Sequence, residues 1–288
     1  MNRISQNTYN FCDIIKLPWK SETRNKLQYQ CPSEILLRLT YLILSIILDN
    51  IRYYLSCILD IEVFMNHDLL KSVIYDQHEI IKNFQIVPRE YEFDLNANYV
   101  VIGLRRAGKS TLLYKIVQDL IEKGTDWNQI IYINFEDERL SEFTVNDFND
   151  ILSVQAEMSD KKGWFFLDEI QNIDGWEKFA RRLADSKEHV FITGSNAKML
   201  SAEIENRLGG RYLTKYVTPY NFREYLAAKN IDFSEKALLA TKDSGKIKRE
   251  METYFYFGGF PENLEYKNKR EYVSSIYQKI LLGDIATR

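Results

Sequence analysis

The sequence predicts an α/β fold in which a parallel sheet is covered by helices on both faces. Between residues 99 and 218, strand-like and helix-like stretches alternate. The strand-like stretches are mostly continuous apolar runs, the pattern of strands buried on both sides. The first of them also leads through a glycine-bracketed turn straight into a helical pattern, in "YVVIGLRRAGKSTLLYKIVQ" (Tyr99 to Gln118).

Taken in chain order, "MNHDLLKSVIYDQHEIIKNF" from Met65 has apolar residues at helical spacing, including Leu69, Leu70, Val73, Ile74, Ile80 and Ile81. "IVPREYEFDLNA" is an extended lead-in broken by Pro88. Tyr99 to Gly103 reads as the first strand, and Ser110 to Lys123 as a helix ended by Gly124. "QIIYINFEDE" is a second strand with acids at its end, and "FTVNDFNDILSVQAEM" a helix with Thr144 as a candidate cap. "GWFFLDEI" is a third strand, apolar until it meets two carboxylates. The helix "GWEKFARRLADS", the strand "HVFITGSN" and the helix "AKMLSAEIENRL" follow. A fifth, alternating strand is "RYLTKYVTPY", and beyond Asn221 the chain reads as helical with a turn at "FGGFPEN".

Residues 1–64 differ in composition. No Gly or Ala precedes Ala97, and all twelve glycines lie at or after Gly103. The apolar core Leu39 to Leu48 is short of the about 20 residues a bilayer span needs, and Arg38, Asp49 and Arg52 flank it. A helical pair on the main domain, a membrane-associated hairpin and a non-native upstream extension all fit this segment. The three cysteines, Cys12, Cys31 and Cys57, lack metal or redox spacing and read as reduced thiols of a cytoplasmic protein. A net charge of −3 gives no basic signature for nucleic acid, although a local patch is compatible with it.

Gly103-x4-Gly108-Lys109-Ser110 matches the P-loop pattern. Glycines let the backbone wrap a phosphate chain so that successive N–H groups, from Arg106 and Ala107 through Thr111, face the anion. The helix start adds positive dipole, Lys109 reaches the β and γ phosphates, and the Ser110 hydroxyl is an Mg²⁺ ligand. Asp168 and Glu169 follow a buried strand, as in the Walker B pattern. There Asp168 serves the metal and Glu169 orients and deprotonates an attacking water. In "TGSN", Asn196 is the first candidate to touch the γ-phosphate or the water and Ser195 the second, with a helix cap as the alternative duty. Arg211, less so Arg207, is a candidate arginine finger for a neighbouring subunit, against a solvated helix-end role. Arg105 and Arg106 have surface-exposed side chains by default. His67, His78 and His189 show no metal or triad spacing. Glu169 argues against a kinase, because a water-activating base would waste ATP, and no Asn-Lys-x-Asp motif supports guanine recognition.

With these motifs in hand, "GLRRAGKSTLL", "FLDEIQNIDGWEKFARRLAD", "ITGSNAKMLSAEIENRLGGRYLTKYVTPYNFREYL" and "YFYFGGFPE" together resemble prokaryotic AAA-type P-loop ATPases. More narrowly, they resemble the family known as AAA+ superfamily predicted ATPases. The resemblance covers roughly Met65 to Arg288. It implies a five-stranded sheet of order 5-1-4-3-2, a catalytic glutamate, and ATP with Mg²⁺. It carries over Gly103, Gly108, Lys109, Ser110, Asp168 and Glu169, together with Asn196 and Arg211. It also implies a following C-terminal domain that ends in a nuclease-like fold, so the chain reads as truncated near "ILLGDIATR". The expected organisation is an extension at 1–64, an ATPase domain at 65–220 and a helical lid with the start of the next domain at 221–288. The expected activity is Mg-dependent ATP hydrolysis that remodels a nucleic-acid or protein partner in a homo-oligomer, away from membranes. The alternative is a nucleotide-gated switch with little turnover.

Overall fold

The computed structural model describes residues 67–195 and 206–280. Helix α1 covers residues 67–83, and an extended lead-in then reaches β1 (Asn98–Gly103). The order continues α2 (Lys109–Glu122), β2 (Ile130–Asn134), α3 (Phe148–Met158), β3 (Trp164–Asp168), α4 (Trp176–Asp185), β4 (His189–Ser195) and β5 (Tyr212–Val217). Four helices follow: α5 (Phe222–Ala228), α6 (Glu235–Leu239), α7 (Thr241–Phe257) and α8 (Lys269–Lys279). The segment 1–64 lies outside the described residues, as does most of the helix expected over 197–208.

All strand pairs are parallel, in the order β2-β3-β4-β1-β5. This is the expected 5-1-4-3-2 order read from the other edge. Alternate residues of the central strands feed two cores. On one face Val100, Ile102, Phe165 and Leu167 pack under α1, α3 and α4. On the other, Tyr99, Val101, Phe166 and Phe191 meet the buried stripe of α2, whose Leu112, Leu113, Ile116, Val117 and Leu120 recur at helical spacing. Phe166 stacks on Phe191 at 5.2 Å, and Tyr99 on Phe191 at 5.7 Å, so one aromatic column crosses three neighbouring strands. The edge strand β5 is buried only at its two ends, Tyr212 and Val217, and leaves Leu213 and Tyr216 exposed between them.

Local chemistry sets the element ends. Thr144 caps not the α-helix but a single 3₁₀ turn (Val145–Asp147), through a capping box with Asp147, and α3 starts only after it. Asn221 and Glu224 form a second capping box that starts α5 directly after β5. A third core joins Tyr220, Tyr225, Leu226, Ile231 and Ile247 and draws in Val87 of the lead-in, so the C-terminal helices pack against the segment that enters the sheet. Gly259 fixes this junction: its carbonyl accepts from the Tyr220 N–H at 2.8 Å, and a Cβ on it would lie 2.1 Å from the Tyr220 carbonyl oxygen.

Gly103 closes β1 opposite Val217, and a Cβ there would lie 2.2 Å from the Val217 carbonyl oxygen. The two backbones are too close for any side chain. Gly103→Ala should therefore push β5 from β1 and cost about 1–3 kcal/mol, read as a lower midpoint in urea denaturation, before any ligand is added.

Candidate functional site

The turn after Gly103 is shaped by two left-handed residues, Arg106 (φ 62°) and Gly108 (φ 94°). Such a turn aims consecutive amides at one point, as anion-binding nests do. Gly108 also occupies the position before α2, whose first amides have no partner within the helix. Lys109 is the first helical residue, and its side chain folds back over the turn. Its ammonium donates to the carbonyls of Gly103 (3.4 Å) and Leu104 (3.3 Å) and lies 3.3 Å from a Glu169 carboxylate oxygen. The side chain is 4% exposed, so this is not a solvated surface lysine.

The β3–β4 register sets Leu167 beside Ile192, which brings the next residues, Asp168 and Thr193, together. Both are buried. The Asp168 carboxylate accepts from the Thr193 hydroxyl, from the Tyr132 hydroxyl at 2.8 Å and from Ser110. Burial pushes its carboxyl above the ordinary range, while the bonds from Thr193, Ser110 and Tyr132 oppose that push. Burial also holds Tyr132 well above the ordinary phenol value, so it remains a donor, and its neighbour Tyr114 is pushed up to about 12. The Thr193 hydroxyl works in both directions, since it also accepts from the Glu169 backbone N–H at 2.9 Å.

Glu169 leaves the strand in the left-handed region (φ 52°, ψ 39°), a conformation that costs a non-glycine residue about 1 kcal/mol. This turn directs its carboxylate toward Lys109 and the Gln171 amide. A cavity of about 840 Å³ opens over the loop and the acid pair. Glu136 after β2 lines it, with its carboxyl pushed up by burial and by the nearby Glu169. Phe84 and Val87 of the lead-in and Tyr220 wall other parts, and Pro261 and Glu262 cover the loop. Glu262 pairs with Arg106 at 2.7 Å and accepts from Tyr272 at 3.3 Å.

The structure thus brings together the loop from Gly103 to Thr111, Asp168 and Glu169, and both Arg105 and Arg106 reach the cavity wall with exposed side chains. Asn196 lies outside the described residues, and so does the side chain of Ser195. Arg211 is held by Asp185 of α4, its Nε donating at 2.6 Å, and Arg207 pairs with Glu177 at 2.9 Å. Neither lines this cavity. His78 is a buried packing residue whose Nε2–H donates to the Ile130 carbonyl at 2.8 Å, and His189 stacks on Trp164.

Sequence reasoning passed over Thr193, Tyr132, Arg89 and Glu262. The available signals were a hydroxyl inside the apolar run of "HVFITGSN" and a tyrosine within "IIYIN", each a polar group that needs a partner once buried. Among the described residues, no group of three or more His, Cys, Asp or Glu could hold a metal, and no helix is long and apolar enough to cross a membrane. One hydroxyl beside one buried carboxylate suits Mg²⁺, which keeps waters and phosphate oxygens as most of its ligands.

A family model described as an AAA domain matches residues 96–226, from the start of β1 into α5. The chain carries an AAA domain. It is 35% identical over 240 residues to an uncharacterized protein of Methanocaldococcus jannaschii, covering 78% of this chain and 53% of that protein. An uncharacterized protein of Haemophilus influenzae is 36% identical over 193 residues, covering 66% of this chain and 46% of that protein. A second Methanocaldococcus jannaschii protein, also uncharacterized, is 26% identical over 230 residues. The chain spans about half the length of the curated relatives it matches.

The AAA domain makes Thr193 a test of how its acid pair is held. Thr193→Val keeps the shape but strips Asp168 of a donor and the Glu169 N–H of its acceptor. Stability should fall by about 1–3 kcal/mol, measured by chemical denaturation, whereas the same change at the exposed Thr214 of β5 should leave it within about 0.5 kcal/mol.

Proposed function

We propose that the AAA domain binds ATP with Mg²⁺ and hydrolyses it. The observation that carries this reading is the convergence of Lys109, Asp168 and Glu169 on one side of a cavity floored by the wrapped loop. Glu169 pairs with Lys109 at 3.3 Å, and a phosphate chain would compete with it for the lysine. The loop amides from Gly103 to Thr111 and the Lys109 ammonium would hold the β and γ phosphates. Ser110 and Asp168 would hold Mg²⁺, which when bound draws charge from the phosphate oxygens. Glu169 would accept a proton from a water as its oxygen bonds to the γ-phosphorus and the bond to the β–γ bridging oxygen breaks.

Residues 65–220 would serve as the ATPase domain and 221–288 as a helical lid with the start of a further domain, the Arg106–Glu262 pair joining the lid to the loop. Hydrolysis would drive rearrangement of a nucleic-acid or protein partner. The greater length of the relatives leaves room for a partner-handling domain, such as the nuclease-like one the family resemblance implies. Arg211 would act as a finger only after leaving Asp185 for the site of a second copy. The same Arg106–Glu262 pair supports a second reading, a nucleotide-gated switch in which occupancy of the loop moves the lid with little turnover.

Lys109→Ala should weaken ATP binding by at least about tenfold in a fluorescent-nucleotide titration; unchanged affinity would remove the binding role. Glu169→Gln should bind ATP somewhat tighter, because Lys109 loses a competing anion, yet release phosphate roughly a hundredfold more slowly. Equal and negligible phosphate release by this variant and the wild type, with and without DNA, would favour the switch.

A further inference from the structure

Arg89 lies in the extended lead-in, twenty residues before the P-loop lysine and outside every motif, yet its side chain is 5% exposed. Its guanidinium has three distinct acceptors. Nη1 donates to the carbonyl of Ala107 inside the loop at 3.1 Å, Nη2 to the carbonyl of Thr218 just past β5 at 2.7 Å, and Nε to the Glu224 carboxylate at 3.0 Å. The rings of Tyr91 and Tyr220 lie 5.2 and 4.9 Å from its centre. Gly108 sits directly against it, since a Cβ there would be 3.1 Å from Nη1.

Glu224 is equally committed. One carboxylate oxygen accepts from Arg89 and from the Glu90 N–H, and the other accepts from the Asn221 N–H in the capping box that starts α5. Tyr220 in turn is bonded to Gly259, two residues before Pro261 and three before Glu262, which reaches back to Arg106. The loop is therefore gripped on two sides: Arg89 holds Ala107, and Glu262 holds Arg106. Both grips lead into the C-terminal helices.

We propose that Arg89 is a positioning residue for the phosphate-binding loop, fixing the Ala107 peptide so that the following amides face the anion. This rests on the nucleotide reading above. The fork geometry is what the role requires. Only a planar guanidinium spans three acceptors lying in different directions, whereas a lysine ammonium keeps the charge opposite Glu224 without reaching all of them. Through Glu224 and Thr218 the same side chain ties loop geometry to the start of α5.

The test compares Arg89→Met and Arg89→Lys in the full chain. The readouts are thermal melting, amide hydrogen–deuterium exchange of residues 103–111 without nucleotide, and titration with fluorescent ADP. In both variants the loop amides should exchange roughly tenfold faster, with β3 amides unchanged, and ADP should bind about tenfold more weakly. Arg89→Lys should recover melting temperature relative to Arg89→Met without recovering affinity. That split sets positioning apart from a merely structural ion pair, for which affinity and melting would recover together. ADP affinity within about twofold of wild type in Arg89→Lys, or loop exchange at the wild-type rate, would overturn the role. If Arg89→Met does not fold, Arg89→Lys alone decides by the same two measurements. A wild-type chain that binds neither ADP nor ATP would sink the nucleotide reading itself, while loop exchange still reports what Arg89 holds.

Discussion

The register of β1 between β4 and β5 is the constraint from which the geometry of the site follows. Gly103 pairs with Ser195 on one side and Val217 on the other, so the strand ends here and the loop must turn at the same level at which β3 and β4 finish. Because every pair is parallel, all carboxyl ends share one edge of the sheet, where ligands of open α/β sheets sit. A slip of one residue in β1 would trade its two core faces, and one between β3 and β4 would turn Asp168 and Thr193 from each other. The aromatic column of Tyr99, Phe166 and Phe191 resists such a slip, since its members meet only in this register.

Buried charge at this edge is made tolerable by partners, and the partners also do the orienting. Asp168 would be costly to bury alone. Thr193, Tyr132 and Ser110 satisfy it and fix its direction at once. Lys109 and Glu169 compensate each other's charge across 3.3 Å. Arg89 and Glu224 follow the same rule, except that their further bonds run to backbone carbonyls and amides, so that pair holds the chain path itself.

The segment that joins the C-terminal helices lines the same cavity as the loop. Tyr220 and the Gly259 turn bring Pro261 and Glu262 over the loop, and Val87 of the lead-in joins the core beneath. A group entering the cavity would meet the sheet edge on one side and these helices on the other. This gives a physical route by which occupancy of the loop can be felt at α5 and α7, through Arg89–Glu224 and Arg106–Glu262.

The sequence by itself determined the strands, the helices that separate them and the loop, because these rest on local patterns: apolar runs, helical spacing and a glycine-bracketed turn. Asp168 and Glu169 were legible for the same reason, as acids at the end of an apolar strand. Cap details were less so, and Thr144 turned out to start a 3₁₀ turn before α3. Thr193, Tyr132, Arg89 and Glu262 belong to no contiguous motif, and Arg89 meets Glu224 across 135 positions of chain. Only the tertiary structure decided their roles, because a buried polar group takes its meaning from the partners that folding delivers.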